Sequence, residues 1–153
     1  MREGGAEIIM SEGNGLFDTS NGTAKNLLKQ QPFGIRRSSV LFDATLTYLN
    51  GVNLREGESL RFAIEIVNRI NRQQWLNFRW FLPEGWDAPG GMEFTVNLDQ
   101  PHGGFGTVAF NTSICPHDIS KADYTVVLEI ASQGRPGRMY LPLTLLNNPQ
   151  ILR

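Results

Sequence analysis

The sequence predicts an all-β fold, an antiparallel β-sandwich of about seven strands that follows an N-terminal extension. Three observations support this prediction. From Ser38 onward, apolar and polar residues alternate with a period of two, which places successive side chains on opposite faces of a strand. Turn signals separate the alternating runs about every 8–15 residues. The 153 residues include 16 glycines and 8 prolines but only 19% charged residues, a composition typical of a protein rich in turns.

Two strands with a single buried face come first. In residues 40–48 every second residue is apolar or aromatic, and Asn50-Gly51 supplies a turn signal directly afterwards. Residues 60–66 alternate in the same way, with Leu60, Phe62 and Ile64 on the apolar face. Each run therefore predicts a strand that packs one of its faces on a core.

Residues 75–82 differ from the first two runs because both faces carry apolar or aromatic side chains. Trp75 and Phe81 lie on one face, and Leu76, Phe78, Trp80 and Leu82 lie on the other. A strand that is covered on both faces is a central one, so we expect a central position for this strand. Pro83-Glu84-Gly85 ends it, since proline cannot extend the hydrogen-bond ladder.

The remaining alternating runs cover residues 92–98, 124–130 and 139–145, with a shorter candidate strand at residues 105–110. Pro142 lacks an amide hydrogen, so the last strand is expected at a sheet edge or with a bulge. About seven short strands with regular turns are typical of an immunoglobulin-like sandwich. No helical pattern alternates with the strands, so a parallel topology is not expected.

The first 37 residues follow a different pattern. We assign residues 1–37 to an N-terminal extension or linker, residues 38–147 to the sandwich and residues 148–153 to a tail. Within the extension, residues 6–10 are a candidate strand, residues 11–22 a loop and residues 23–30 a candidate short helix. The extension is expected either to wrap the sandwich or to join it to a preceding domain.

Charge and cysteine content restrict the partners. The net charge of −1 provides no basic field for nucleic acid. Cys115 is the single cysteine, which excludes a disulfide within the chain and favours a reducing, cytoplasmic compartment. The 153 residues contain no signal-peptide pattern, and no apolar run approaches the ~18 residues of a membrane helix, so no membrane contact is expected.

The sequence offers no complete catalytic or metal site. The loop Cys115-Pro116-His117-Asp118 holds three ligand types, but a structural zinc site needs four ligands and there is no second cysteine. The loop around Asp18 has too few carboxylates for calcium. The glycines that follow His102 lack the Lys-Ser/Thr pair of a phosphate loop. We therefore predict no catalytic residue, metal or cofactor.

The aromatic residues are assigned mainly to the core. Aromatic residues at alternate positions of a sandwich strand are usually buried, although a sugar-stacking platform is the alternative interpretation. Three of them, Trp86, Phe105 and Tyr140, are the candidates for a face near solvent and therefore for weak binding. They come from different loops and strands, so a shared flat platform is not expected. Trp86 has a second interpretation, as a plug over one end of the sandwich.

Two segments resemble a known family. They are Ile66-Val67-Asn68 before a polar turn, and Trp75-Leu76-Asn77-Phe78-Arg79-Trp80-Phe81-Leu82-Pro83-Glu84-Gly85-Trp86. The pair looks like the bacterial immunoglobulin-like accessory domains of NEW3 type, in which a "V-x-N" strand precedes a strand ending in "LPxGW". Such domains are attached to glycoside hydrolases, and similar sandwiches follow ADP-ribosylglycohydrolase-like catalytic domains. The resemblance covers residues 38–147, carries no catalytic residues and does not extend to the N-terminal segment.

The resemblance implies a non-catalytic accessory domain of a larger bacterial enzyme that processes glycans or glycosyl conjugates. In this hypothesis the domain packs against the catalytic domain of the same polypeptide or a neighbouring subunit, or acts as a spacer. The alternative is a carbohydrate-binding module that uses exposed aromatic side chains. A small enzyme of unknown type is the third hypothesis.

Overall fold

Nine strands and no helix make up the part of the chain that the computed structural model describes, which is residues 6–9, 33–101 and 106–147. The strands are β1 (Ala6–Ile9), β2 (Gly34–Ser38), β3 (Phe42–Tyr48), β4 (Leu60–Asn68), β5 (Gln74–Phe81), β6 (Glu93–Leu98), β7 (Thr107–Ile114), β8 (Asp123–Ser132) and β9 (Met139–Leu146). Within these residues there is no helix with the length and apolarity of a membrane span. The candidate helix at residues 23–30 and the tail at residues 148–153 lie outside them.

The strands form two sheets in which every pairing is antiparallel. The first sheet has the order β1-β2-β3-β4-β7, and the second has the order β6-β5-β8-β9. The predicted all-β antiparallel sandwich is therefore confirmed. The last strand, β9, lies at an edge of the second sheet, as Pro142 predicted.

Strict alternation along β3, β4 and β5 builds the core between the sheets. Every second side chain of these strands is buried. Phe62 and Trp80 meet near the centre, with ring centroids 5.6 Å apart, and both are almost fully buried as predicted. The indole N–H of Trp80 donates to Thr112 Oγ1 at 3.3 Å, so the polar atom of this buried side chain is satisfied.

A buried asparagine closes one end of the sandwich. Asn68 ends β4, and its Nδ2 donates to the carbonyl oxygens of Arg72 at 2.8 Å and Asp99 at 2.9 Å. Its Oδ1 accepts from Ile70 N at 3.0 Å and Gln74 Nε2 at 2.9 Å. Three of these bonds fix the loop between β4 and β5 and the point at which β5 begins, and the bond to Asp99 ties Asn68 to the chain directly after β6.

The first sheet includes residues that lie before the predicted boundary between residues 37 and 38. β1 lies within the candidate strand at residues 6–10, and β2, Gly34–Ser38, runs across that boundary. Ile35 of β2 is buried, and Arg37 Nη1 donates to the carbonyl of Tyr140 in β9 at 2.7 Å, a hydrogen bond between the two sheets. Gly34 has a φ of 153°, and a Cβ there would collide with the Leu46 carbonyl, so only glycine fits.

The central strand β5 is covered on one face only. It lies between β6 and β8, so its predicted central position in the sheet is correct. The prediction that both of its faces are covered is wrong, because Trp75 and Phe81 are 48% and 43% exposed. About half of each side chain therefore remains accessible to solvent on the outer face of the second sheet.

Candidate binding face on the second sheet

Four outward side chains of β5 define the candidate site. Trp75, Asn77, Arg79 and Phe81 are all exposed, because they alternate with the four buried residues of the same strand. Successive outward residues stand about 7 Å apart at the usual rise of a strand, which puts the two rings about 20 Å apart. The strand thus presents an aromatic residue, two polar residues and a second aromatic residue in a row.

The register of the neighbouring strands completes the face. Arg79 lies between Glu93 of β6 and Glu129 of β8, and Glu129 in turn pairs with Tyr140 of β9. Tyr140 is 43% exposed. Because paired residues in a sheet share a face, these four side chains form a row across the sheet, at right angles to the row along β5.

A trough of about 700 Å³ lies in the middle of this face. Asn77 and Arg79 of β5 form part of its floor, and Glu93 and Thr95 of β6 line one side. The opposite side consists of residues 132 to 138, which are the last residue of β8 and the loop between β8 and β9. Volumes of this size are typical of small-molecule sites. We define the outer binding face as this trough together with the rings of Trp75, Phe81 and Tyr140.

Hydrogen bonds fix the amide groups in the floor of the trough. Asn77 Oδ1 accepts from Thr95 Oγ1 at 3.0 Å and from Gln133 Nε2 at 2.9 Å. With its oxygen engaged twice, the side chain of Asn77 has its N–H donors left for another molecule. Gln133 is itself held in place, since its backbone N–H donates to the Trp75 carbonyl at 2.8 Å.

Two ion pairs form between residues that line the trough. Arg79 Nε lies 3.3 Å from Glu93 Oε2, and the guanidinium of Arg79 also lies over the Phe81 ring, 5.1 Å from its centroid. Arg138 Nη1 lies 3.4 Å from Glu129 Oε1. Glu129 is only 7% exposed, so this carboxylate has lost most of its hydration and depends on the arginine. The pair of exposed groups, Arg79 and Glu93, contributes little to stability.

The residues predicted to bind are only partly at this face. Tyr140 belongs to it and is exposed as expected. Phe105 lies outside the described residues. Trp86 is 7% exposed, so the expected solvent-facing ring is wrong; its ring packs against Tyr124 with the centroids 5.1 Å apart. The turn at Gly85, with φ of 89°, directs the indole back onto the end of the sandwich, which was the second interpretation of Trp86.

Sequence analysis missed Trp75 and Phe81 as exposed residues. The available signal was the polarity of their neighbours on the same face, Asn77 and Arg79. A buried strand face that includes an arginine needs an acidic partner in the core, and an exposed face does not. The shared face with Asn77 and Arg79 therefore predicted that Trp75 and Phe81 face solvent.

The loop that contains Cys115 and His117 is held by a carboxylate of a neighbouring loop. The described residues contain no group of three or more His, Cys, Asp or Glu side chains placed to hold an ion. Instead, the Glu56 carboxylate accepts from the backbone N–H groups of Asp118 at 2.9 Å and Ile119 at 3.3 Å, and lies 3.7 Å from His117 Nδ1. These hydrogen bonds, with a smaller contribution from His117, lower the pKa of Glu56. His102 and Asp18 lie outside the described residues.

Comparison with known proteins supports the fold and leaves the function open. No family model and no curated protein matches the chain. Among solved structures, the chain is similar to a FixG-related protein from Vibrio parahaemolyticus, with a TM-score of 0.52 and 7% identity over 70% of this chain and 96% of that one. It also aligns with AvmM, which catalyses macrocyclization in alchivemycin A biosynthesis, with a TM-score of 0.36 and 10% identity over 74% and 93% of the two chains. At 7% identity the first likeness shows a shared fold alone, and the second is too distant to carry an argument.

Proposed function

We propose that this chain is a non-catalytic accessory domain of a glycan-processing enzyme, and that it binds carbohydrate on the outer binding face. One observation carries the proposal. Trp75, Phe81 and Tyr140 are exposed on the same face of one sheet, and this face also holds the trough that Asn77 and Arg79 line. Exposed apolar surface that is grouped on one face of a domain is typical of interaction sites.

The chemistry of the face suits a polyhydroxylated ligand. Sugar rings have an apolar face that stacks on aromatic side chains, and their hydroxyl groups exchange hydrogen bonds with planar polar groups. The rings at the two ends of β5 provide the first kind of contact. Asn77, Gln133 and the Arg79–Glu93 pair provide donors and acceptors between them. A span of about 20 Å between the rings accommodates several sugar residues in a row along the strand.

An immunoglobulin-like interpretation of the strand order is part of the proposal and supports the link to accessory domains. The seven strands from β3 to β9 divide into β3-β4-β7 and β6-β5-β8-β9. In immunoglobulin nomenclature this is A-B-E opposite C-F-G, with the fourth strand paired to C instead of E. Tyr124 near the start of β8 accepts backbone hydrogen bonds from Ser120 at 2.8 Å and Lys121 at 3.1 Å, which resembles the tyrosine corner at strand F of immunoglobulin domains.

The packing role that the sequence favoured is the second candidate function. It rested on the expectation that few aromatic rings face solvent and that those few are scattered. Because Trp75, Phe81 and Tyr140 are all exposed on one face, that expectation no longer favours packing over carbohydrate binding. A specific feature still favours protein contact: Phe81, Val127 and Pro142 adjoin one another across β5, β8 and β9, and aromatic residues with arginine are enriched in the cores of protein interfaces.

A glycan array followed by affinity electrophoresis tests the proposal. We expect the wild-type domain to bind at least one polysaccharide, and Trp75→Ala and Phe81→Ala each to abolish or strongly weaken that binding. Phe33→Ala is the matched control, because Phe33 is 40% exposed but precedes β2 in the other sheet. A wild-type domain that binds no glycan contradicts the proposal and favours the packing role, in which the catalytic domain or a neighbouring subunit covers the same face.

A further inference from the structure

We infer that the trough selects acidic glycans, and that Arg135 binds their carboxylate or sulfate group. This inference rests on the proposed function, because it names the ligand class for the same face. Arg135 lies in the β8–β9 loop and lines the trough. Neither the sequence motifs nor the family resemblance assigned any role to this residue.

The charges around the trough leave one cation without a partner. Three arginines and two glutamates line it. Arg79 pairs with Glu93, and Arg138 pairs with Glu129. No acidic side chain of the described residues lies within ion-pair distance of Arg135. The trough therefore has one positive charge in excess, and this charge belongs to a guanidinium that is free to bind an anion.

Among the side chains of Asn77, Arg135 and the two glutamates that line the trough, donors without a partner also outnumber acceptors without a partner. Asn77 Oδ1 already accepts two bonds, so this side chain offers donors only. The carboxylates of Glu93 and Glu129 are each engaged by an arginine. Arg135 adds five N–H donors in a planar fork that matches the two oxygens of a carboxylate. A ligand rich in acceptors, with at least one anionic group, satisfies these donors best.

The backbone at Arg135 is held in position before any ligand arrives. Its backbone N–H donates to the Ser132 carbonyl at 3.1 Å in a tight turn, and Gly134 and Gly137 adopt positive φ values of 76° and 90° on either side. Pro136 follows directly and restricts the backbone further. Arg135 itself is only partly exposed. A loop with a restrained backbone loses less conformational entropy on binding than a flexible one.

A backbone hydrogen bond links the loop that carries Arg135 to the strand position of Trp75. The Gln133 N–H to Trp75 carbonyl bond at 2.8 Å ties the start of the loop to the strand position that carries the indole. Arg135 is two residues further along the same loop. One glycan chain can therefore stack a sugar on Trp75 while a neighbouring uronic acid or sulfated sugar contacts Arg135.

Isothermal titration with matched polymers tests the inference. The ligands are polygalacturonic acid and its fully methyl-esterified form, which keeps the sugar ring and removes the charge, together with dextran sulfate and plain dextran. We expect one of the two acidic polymers to bind at least about tenfold more tightly than its neutral counterpart, since a hydrogen bond to a charged group contributes roughly that factor or more. The acidic polymer that binds identifies the anion as carboxylate or sulfate.

Arg135→Gln should weaken that binding by about tenfold or more and abolish the preference for the acidic polymer. The matched control is Arg61→Gln, which makes the same charge change on the exposed face of β4 in the opposite sheet and should alter affinity by less than about twofold. Equal losses in both variants would mean that net charge alone drives binding, and would overturn the inference.

Three further outcomes also overturn it. Equal binding of a neutral polymer and its acidic partner would reject acid selectivity while the proposed carbohydrate function stands. Failure of every glycan to bind would reject both. Binding of a poly-glutamate peptide as tightly as the acidic polysaccharide would show that the site recognises carboxylates without a sugar, so the ligand would not be a glycan.

Discussion

Replacing the two tryptophans of β5 one at a time compares its two faces directly. Trp80 and Trp75 are the same residue type on the same strand, but they are 2% and 48% exposed. A buried tryptophan removes about 200 Å² from water, which at about 25 cal/mol per Å² corresponds to about 5 kcal/mol. Trp80→Ala should therefore lower the free energy of unfolding by about 3–5 kcal/mol, the usual range for buried aromatic residues.

Trp80→Ala also leaves a cavity beside Phe62 and removes the hydrogen-bond donor of Thr112 Oγ1, which supports the upper part of that range. Trp75→Ala should lower the free energy of unfolding by only about 1–2 kcal/mol, because half of the ring is already in water and its loss creates no cavity.

Equilibrium unfolding in urea, followed by circular dichroism, measures both values at constant m-value. A loss for Trp75→Ala equal to that for Trp80→Ala would refute the reasoning, because it would mean that the outer face is packed and cannot bind a ligand. A spectrum dominated by helix in the wild-type protein would contradict the fold itself.

Three other perturbations test the fold and its loops. Gly34→Ala should lower the free energy of unfolding by about 1–3 kcal/mol in the same urea assay, because its Cβ meets the Leu46 carbonyl; an unchanged midpoint would contradict the close approach. Asn68→Ala should cost about 2 kcal/mol or more, because Gln74 and three backbone groups lose a buried partner, and Asn68→Asp should recover only part of this. The folded-state pKa of Glu56 is lowered, so its stabilisation is fully present above its ordinary pKa of 4.5 and is lost as the pH falls through the lower folded value; thermal melts of wild type and Glu56→Gln should converge at acid pH, and a constant difference would contradict this.

The alternation of apolar and polar residues predicted most of the strands, because each of these strands has one solvent-exposed face and one buried face. Residues 40–48 and 60–66 correspond to β3 and β4 with small shifts at their ends. The shorter candidate at residues 105–110 is longer in the structure, since β7 runs to Ile114 through polar residues whose inward neighbours, Thr112 and Ile114, are buried. β2 was missed because a five-residue strand with two arginines offers too few alternating positions to be recognised.

The candidate site was harder to predict than the fold. Hydrophobicity alone favours burial of Trp75 and Phe81 and cannot show which sheet face lacks a cover. The trough depends on the register that sets Arg79 between Glu93 and Glu129, and on a loop that folds beside them. Neither the pairing partners of β5 nor the path of the β8–β9 loop is encoded in a local pattern, so the residues of the trough could not be grouped from the sequence.

The three tryptophans of the chain provide the most direct test of the outer binding face, since each gives one indole N–H signal in a nitrogen-15 correlation spectrum. Titration with a polysaccharide bound by the domain should shift the Trp75 signal, because its ring is exposed at the end of the trough. The signals of Trp80 and Trp86 should stay in place, because one ring lies in the core and the other packs on Tyr124. A titration that shifts Trp86 while Trp75 stays unchanged would contradict the assignment of carbohydrate binding to this face.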